Sequence, residues 1–438
     1  MVRAPADEAA AWCEGVARPR LSVAPMMAWT TPHFRTLLRL LTQRTLLYTE
    51  MVPVDALLAA AERSPGHVRA LLGVEPSHRP LAIQLGGRSP AAMADAARHC
   101  CAALEGVDEI NINVGCPSDT VSGHHCYGAA LMKEPARVQQ LAAAVRRAVP
   151  PTTAVTVKHR LGVDDCDSWE QLVEFVRIVS AAPASVRHFV VHARKAILGL
   201  STVGNREVPP LRHDWVLRLA REFPHLSFDL NGGVANLDQA AALLAAAGPA
   251  LRGVMMGRAA FHAPWMLAAA DADRGIFSDG GGGAGAGDPA APPEPLTRRQ
   301  VVGRYLEYAE GAWEEGRRRL EADVRQQLGA AGARAPSAHA VAHRLKPRLT
   351  ALREALYLPL MNLFAAPQRH GATTEAPADT GSQSEGRRAC EDTEEAAAAE
   401  WRKRLEKSLA KRAALGKAAA YALRAMEGIA DLPPPGLT

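Results

Sequence analysis

Four side chains that follow short apolar runs could take part in one reaction: Gln84, Asn113, Cys116 and Lys158. Cys116 stands in a Gly-Cys-Pro-Ser turn, and a thiol with an ordinary pKa of about 8.5 is mostly protonated at neutral pH. It could act as a general acid or a nucleophile, or pack as a small hydrophobe. The amides can hydrogen-bond a heterocycle edge, and the lysine can place a positive charge near a flavin nitrogen. The set suits a flavin, with a buried structural salt bridge as the alternative.

Two glycine-containing pairs, Gly232-Gly233 and Gly257-Arg258, follow neighbouring apolar runs. Backbone N–H groups at such positions commonly bind phosphate. We therefore expect a phosphorylated ligand, although the glycines could simply turn the chain. The run His124-His125-Cys126 could indicate a metal, but three consecutive residues rarely converge on one ion, so we predict a loop and no metal site.

Eight short β-branched or apolar runs must position these residues, separated by Ala/Leu/Arg-rich stretches long enough for helices. This alternation over about 240 residues predicts an α/β fold, a closed (β/α)8 TIM barrel whose active site lies at the carboxyl ends of the strands. The chemically active residues follow strands, as that architecture requires. The predicted strands are Leu21–Met27, Thr45–Val52, Leu81–Gly87, Glu109–Val114, Thr153–Arg160, His188–His192, Leu226–Asn231 and Gly253–Met256.

Composition narrows the class of protein. With 48% hydrophobic and 22% charged residues, the chain is typical of a soluble globular protein and unlike a collagen or a disulfide scaffold. No apolar run is long enough for a transmembrane helix, and seven scattered cysteines without a CxxC pair favour a reducing compartment. We expect a cytoplasmic monomer without membrane contact, with an organelle as the open alternative.

The chain divides by composition into six parts. We predict an N-terminal extension over 1–19, the barrel over 20–270, a Gly/Ala/Pro-rich linker over 278–297, and helices over 298–363. A disordered insertion at 366–395 and a basic helix at 396–430 complete the helical domain that follows the barrel. In that domain Pro347 and Pro359 are expected to kink or divide the helix Ala338–Leu363.

The net charge of +5 is concentrated toward the C-terminus. Two stretches, Arg334–Arg353 and Trp401–Arg424, are strongly basic. Such stripes indicate a polyanionic partner, with plain solvated helix faces as the alternative. Arg402, Lys403 and Arg404 are the candidate contacts in the second stripe.

Several motifs, taken in order, resemble the tRNA-dihydrouridine synthases over about residues 20–270. They read VAPMMAWTTPHFR, LLYTEMV, QLGG, EININVGCPS, TVKHRLG, HARKAILGLSTVGNREVPPL, NGG and MGRAAF. The stretch from His192 to Leu211 is most similar to the branch that reduces uridines 20 and 20a of the tRNA D-loop. The resemblance implies an FMN-binding TIM barrel reduced by NADPH, followed by a helical tRNA-binding domain.

The resemblance also implies roles for individual residues. Cys116 is the acid that protonates C5 of uracil while reduced flavin passes a hydride to C6. The target base must be flipped out of the tRNA elbow to reach the barrel. The FMN site is formed by Pro25, Met26, Gln84, Lys158, His192, Asn231, Gly233, Gly257 and Arg258, which Gly232 joins as part of the glycine pair. Asn113, Arg160 and Arg206 face the uridine or tRNA, and Arg194 is grouped with them.

The sequence departs from the family pattern at two places. Ala28 and Pro32 lie near the position of a usual acid, and Ala130 replaces a cysteine in Gly128-Ala129-Ala130-Leu131-Met132. These departures leave open a tRNA-binding protein without redox activity. A second alternative is an FMN-barrel reductase of free pyrimidines, against which the basic stripes argue.

Overall fold

The computed structural model describes residues 11–13, 16–118, 121, 126–247, 251–271, 295–330 and 338–363. These residues form two compact units. The barrel unit contains the described residues up to 32, together with 43–260 and 270–271. The helical unit contains 33–42, 261–269 and the described residues from 295 onward. The predicted insertion, the basic helix with Arg402, Lys403 and Arg404, and most of the linker lie outside the described residues.

The barrel unit is a closed parallel barrel, as predicted. Its strands are β1 (Leu21–Val23), β2 (Leu47–Pro53), β3 (Leu81–Gly86), β4 (Glu109–Val114), β5 (Ala154–Arg160), β6 (His188–His192), β7 (Ser227–Asn231) and β8 (Leu251–Met256). Hydrogen bonding runs in the order β1-β8-β7-β6-β5-β4-β3-β2. A parallel bridge between Ser22 and Leu46 joins the first strand to the segment that leads into β2 and closes the ring. A short antiparallel pair, Ala11–Cys13 and Val16–Ala17, precedes the barrel.

Helices alternate with the strands, and several of them begin at a recognisable start signal. They are α1 (Pro32–Leu41), α2 (Val54–Arg63), α3 (Pro65–Leu72), α4 (Pro90–Ala103), α5 (Pro135–Ala148), α6 (Trp169–Ser180), α7 (Gly204–Glu207), α8 (His213–Glu222), α9 (Leu237–Ala247) and α10 (Arg258–His262). Ser89 caps α4 just before Pro90, and Ser168 with Gln171 forms a capping box on α6. These signals fix where the loops at the barrel mouth end.

The first strand is shorter than predicted. It ends at Val23, because the chain turns at Met26, whose carbonyl accepts hydrogen bonds from the Trp29 and Thr30 amides. The Thr30 hydroxyl also accepts from the Met26 amide at 3.0 Å. The Ala24-Pro25-Met26 segment is therefore a mouth loop, where a ligand can approach its backbone.

In the barrel interior, a charged cluster lies nearer the amino ends of the strands. Arg18 donates to the Glu109 carboxylate at 3.1 Å, to Asp229 and to the Tyr48 hydroxyl. The Nε2 of His188 lies 3.3 Å from Asp229. Burial raises the pKa values of Glu109 and Asp229, but Arg18, His188 and the hydrogen bonds to the two carboxylates together outweigh burial, so both pKa values are lowered.

The helical unit contains two long helices, α11 (Arg298–Ala330) and α12 (Ala338–Leu363). They run antiparallel, since the Tyr305 hydroxyl donates to the Leu356 carbonyl at 2.8 Å while Arg348 pairs with Asp323. Contrary to one expectation, α12 is not divided at Pro347 or Pro359. No helix in the described ranges is long and apolar enough to cross a lipid bilayer.

Candidate functional site

Cys116 follows β4 in a turn that side chains of β4 and of the neighbouring strand β5 hold in place. The side-chain oxygen of Asn113 accepts from the Gly115 amide at 3.1 Å and from the Cys116 amide at 3.0 Å. From β5, Nε of Arg160 donates to the Gly115 carbonyl at 2.9 Å. The turn is thus fixed by a side chain of its own strand and by one of the neighbouring strand.

The segment that returns past the turn packs closely on Cys116. The Ala129 amide donates to the Cys116 carbonyl at 2.8 Å. Gly128 has a φ of +66°, and a Cβ at this position would lie 2.6 Å from that carbonyl oxygen. Only glycine meets both demands without displacing the turn.

The environment of Cys116 favours the protonated thiol. Burial raises its pKa, while the Ser118 backbone amide and the charges of Arg160 and Lys158 oppose the shift without reversing it. A thiol with a raised pKa carries a proton at neutral pH and can give it up next to cations that stabilise the thiolate. This is the behaviour of a general acid.

Lys158 and Arg160 point along the same face of β5. Burial and the neighbouring Arg160 lower the pKa of Lys158 to about 7. Among the described residues, no carboxylate forms an ion pair with Lys158, so the structural salt bridge weighed as an alternative is not found there. Arg160 is 4% exposed, and besides Gly115 it donates to the carbonyls of Lys195 and Asn205, both at 3.0 Å. A half-buried lysine without an acid indicates space for a ligand that supplies negative charge.

Further cations converge on the same mouth. Burial and the charges of Arg160, Lys158, Arg194 and Arg258 lower the pKa of His192, so its imidazole is neutral. Burial and Arg258 also lower the pKa values of Arg194 and Arg206, and Glu207 offsets part of each shift. The buried Nε of Arg206 makes no hydrogen bond within the described structure. Repulsion of this kind is relieved by an anion.

At two of the three predicted phosphate glycines, a neighbouring side chain already occupies the place that a Cβ would take. Gly232 has a φ of +114°, and a Cβ there would lie 2.8 Å from Cδ2 of His192. At Gly233, a Cβ would meet Leu211 at 2.4 Å. Gly257 is different, because the nearest atoms to its Cβ position belong to Ala24 and Met26 at 3.8 Å. The backbone at Gly257 is therefore open to a ligand.

Three other predicted residues, Asn231, Met26 and Gln84, contact residues of neighbouring strands. Nδ2 of Asn231 donates to the Met255 carbonyl at 2.9 Å, which ties β7 to β8. Met26 packs against a cluster that includes Ala24, Tyr48 and Met255. Nε2 of Gln84 donates to the side-chain oxygen of Asn111 at 2.7 Å, and Oε1 of Gln84 accepts from Nδ2 of Asn113 at 2.8 Å.

The structure brings the predicted barrel residues to the mouth, but two of them also have contacts that the sequence did not indicate. Asn113 and Arg160, expected at the substrate, bind the backbone of the Cys116 turn. Glu109 and Thr156 were not proposed as site residues. Glu109 shares a strand face with Asn113 on β4, and Thr156 shares one with Lys158 and Arg160 on β5, so the period of two is the signal that could have found them.

The Cys116 turn also has an aromatic neighbour, Tyr127, that sequence reasoning missed. Burial raises the pKa of Tyr127, and the charges of Cys116 and Asp55 add to the shift. The ring of Tyr127 also lies against the end of β3, since a Cβ on Gly86 would lie 2.7 Å from its Cε2 atom. Its place directly before Gly128 in the chain is the only sequence signal for this contact.

Comparison with known proteins agrees with the site. The family profile "Dihydrouridine synthase (Dus)" matches residues 22–280. A tRNA-dihydrouridine(20/20a) synthase of Pseudomonas putida is 49% identical over 253 residues, which cover 58% of this chain and 70% of the relative. The proteins of that name from Pseudomonas aeruginosa and Escherichia coli K12 are 44% and 43% identical, covering 68% and 67% of this chain and 80% and 78% of theirs. The chain belongs to the dihydrouridine synthase family.

Proposed function

We propose that this protein is a tRNA-dihydrouridine synthase that reduces the C5=C6 bond of uridines 20 and 20a with FMN and NADPH. The observation that carries the proposal is a protonated thiol, Cys116, beside Lys158 and Arg160, neither of which pairs with a carboxylate in the described part of the barrel. Curated relatives of high identity bear this activity in their names. A redox-inactive tRNA-binding protein would have no use for the thiol in this position.

The residues at the mouth fit FMN. The phosphate would lie on the backbone of Gly232, Gly233 and Gly257 with Arg258 beside it, where Cβ atoms are absent and cations repel one another. The ring would lie against Pro25, Met26, Gln84, Lys158, His192 and Asn231. When bound and reduced by NADPH, the flavin supplies a hydride for C6 of the uracil.

The chain's own residues would complete the reduction. Cys116 donates its proton to C5, so that one hydride and one proton together add two hydrogens across the double bond. Arg160 and Lys158 stabilise the thiolate that remains and the negative charge that develops on the uracil carbonyl. Asn113 keeps the Cys116 turn in place through its two backbone contacts.

Recognition of tRNA would use the cations that the flavin does not need. Arg194 and Arg206 lie at the mouth and would contact the flipped uridine or its phosphates. The helical domain would hold the body of the tRNA, and Arg402, Lys403 and Arg404 would bind phosphates in a salt-dependent manner. The predicted division into barrel, linker, helices, insertion and basic helix belongs to this proposal.

The test is mass spectrometry of RNase fragments after an unmodified tRNA transcript is incubated with the protein, FMN and NADPH. We expect a gain of two hydrogens in the D-loop at position 20 or 20a. C116A should abolish the gain and still bind flavin, while C126A, which removes an exposed thiol, should behave like the wild type. Reduction of free uracil or orotate but not tRNA would overturn the proposal in favour of a free-pyrimidine reductase.

A further inference from the structure

A continuous chain of side-chain hydrogen bonds crosses the interior of the barrel and ends at the Cys116 turn. Its links are Cys116 amide to Asn113 Oδ1 at 3.0 Å, Asn113 Nδ2 to Gln84 Oε1 at 2.8 Å, Gln84 Nε2 to Asn111 Oδ1 at 2.7 Å, Asn111 Nδ2 to Thr156 Oγ1 at 2.7 Å, and Thr156 Oγ1 to Glu109 Oε1 at 2.6 Å. All five side chains are at most 8% exposed. The strand register pairs Gln84 with Asn111 and Asn111 with Thr156.

The chain has a single direction. Each of the four side chains before Glu109 donates one hydrogen bond toward Glu109 and accepts at least one from the opposite side. An amide can turn by 180° and exchange its donor for its acceptor, but an ionised carboxylate can only accept. Glu109 is held as a carboxylate by Arg18 and also accepts from the Tyr48 hydroxyl at 2.7 Å. The carboxylate therefore sets which way every amide in the chain faces.

From this geometry we propose that Asn111, Thr156 and Glu109 are positioning residues for the reaction, because they fix the amide orientations of Gln84 and Asn113 and so hold the Cys116 turn. The inference rests on the proposed function. A reversed Asn113 would present its NH2 group to the Gly115 and Cys116 amides, which are themselves donors, and the turn would lose both bonds. A reversed Gln84 would offer the wrong edge to a bound ring.

Thr156 is the link to test, since T156V removes the hydroxyl and keeps the shape of the side chain. Without that hydroxyl, Nδ2 of Asn111 loses its acceptor in the chain, and Glu109 no longer fixes the orientation of the Asn111 amide. T156S keeps the hydroxyl and should restore the chain. The matched control is T153V, which removes the hydroxyl of another threonine, 2% exposed, that lies just before β5 and outside the chain.

The first readout needs no turnover. Alkylation of Cys116 by iodoacetamide, followed by mass spectrometry on the flavin-loaded protein without tRNA, measures how firmly the turn is held. We expect T156V to be alkylated at least threefold faster at pH 8, because a released turn exposes the thiol. T156S and T153V should match the wild type. Unchanged alkylation in T156V would overturn the inference.

The second readout is kinetic. At saturating tRNA we expect T156V to lower kcat by about tenfold with an unchanged KM for tRNA, and T156S to recover the rate. Loss through KM alone, or no rescue by serine, would also overturn the inference. If T156V does not fold, T156A takes its place in both assays. If the wild type makes no dihydrouridine, the proposed function fails, while the alkylation series still decides whether the chain holds the turn.

Discussion

At the scale of the residue, Lys158 destabilises the folded barrel when no ligand is bound. Its pKa is lowered to about 7, because burial and Arg160 disfavour the charge. In the unfolded chain a lysine titrates near 10.5, so between that pH and about 7 the unfolded state binds more protons. The penalty on folding without ligand therefore grows as pH falls through this window and is complete below it. A bound anion would remove the penalty.

We therefore predict opposite effects of K158M on stability and binding. Without flavin, the melting temperature should rise by about 2–4 °C, because a half-buried cation without a partner is removed. The flavin dissociation constant should rise at least tenfold. K133M is the control, since Lys133 pairs with Asp164 at 2.8 Å on the surface and should change neither quantity by much. A lower melting temperature with unchanged flavin affinity would show that Lys158 only packs.

Cys116 allows a prediction about pH. Because burial raises its pKa, the thiolate is scarce at neutral pH. The rate of alkylation by iodoacetamide should rise roughly tenfold per pH unit from pH 7 to beyond pH 9, without a plateau in that range. The modified residue is identified by mass spectrometry, and the C116S variant gives the background from other thiols. A plateau below pH 8 would indicate a thiolate, which cannot serve as the acid.

At the scale of the element, the barrel mouth depends on short turns that follow strands. The turn after β7 uses two glycines with positive φ, and the side of Gly232 faces the ring of His192. A side chain there must disturb either the backbone or the imidazole. The geometry of one turn thus controls a residue on the neighbouring strand β6.

G232A should weaken flavin binding by about tenfold, because its Cβ would lie 2.8 Å from Cδ2 of His192 and would displace the imidazole. The matched control is G199A. Gly199 also has positive φ, +79°, but no atom lies within 4 Å of its Cβ position, so this variant carries the backbone strain without the collision. Flavin titration by fluorescence measures both variants. Equal losses in the two would assign the effect to strain alone and contradict the role of the collision.

Much of this element-scale arrangement could be predicted from the sequence. The eight strands and the polar or glycine residues that follow them could be predicted, because reactive residues at a barrel mouth lie directly after strands and few lie on the helices between them. The absence of an acid beside Lys158 could also be anticipated. The bonds among Gln84, Asn111 and Thr156 could not, since they depend on which residues the strand register places side by side. The turn at Met26 was missed because an apolar run gives no sign of where its hydrogen bonds leave the sheet.

At the scale of the whole barrel unit, stability should depend on pH through its buried charges. The pKa values of Glu109 and Asp229 are below their ordinary values of 4.5 and 3.8, because Arg18, His188 and the hydrogen bonds to the carboxylates together outweigh burial. Their contribution is present in full above pH 5 or so and is lost as pH falls through the folded values. Burial and Arg18 also lower the pKa of His188, so its share of the loss begins below 6.5.

We predict that R18M loses about 3–5 kcal/mol of unfolding free energy at pH 7, because two buried carboxylates lose their cation. Its acid unfolding midpoint should move to higher pH, since burial then raises both carboxyl pKa values. Urea titrations followed by tryptophan fluorescence across pH 3–7 measure both effects. R63M, which removes an exposed arginine on α2, should behave like the wild type. Identical acid midpoints in R18M and the wild type would refute the argument.

The Arg18 cluster also bears on the order in which the barrel can form during synthesis. Asp229 is made 211 residues after Arg18, and β1 pairs with β8, the last strand of the ring. The emerging chain thus carries a cation and a strand edge whose permanent partners do not yet exist. Closure is a late event of long sequence separation, which is intrinsically slow. A pause in translation before β8 would leave an open sheet with two exposed edges, those of β1 and β7, and this is the stage at which the nascent protein would most need a chaperone.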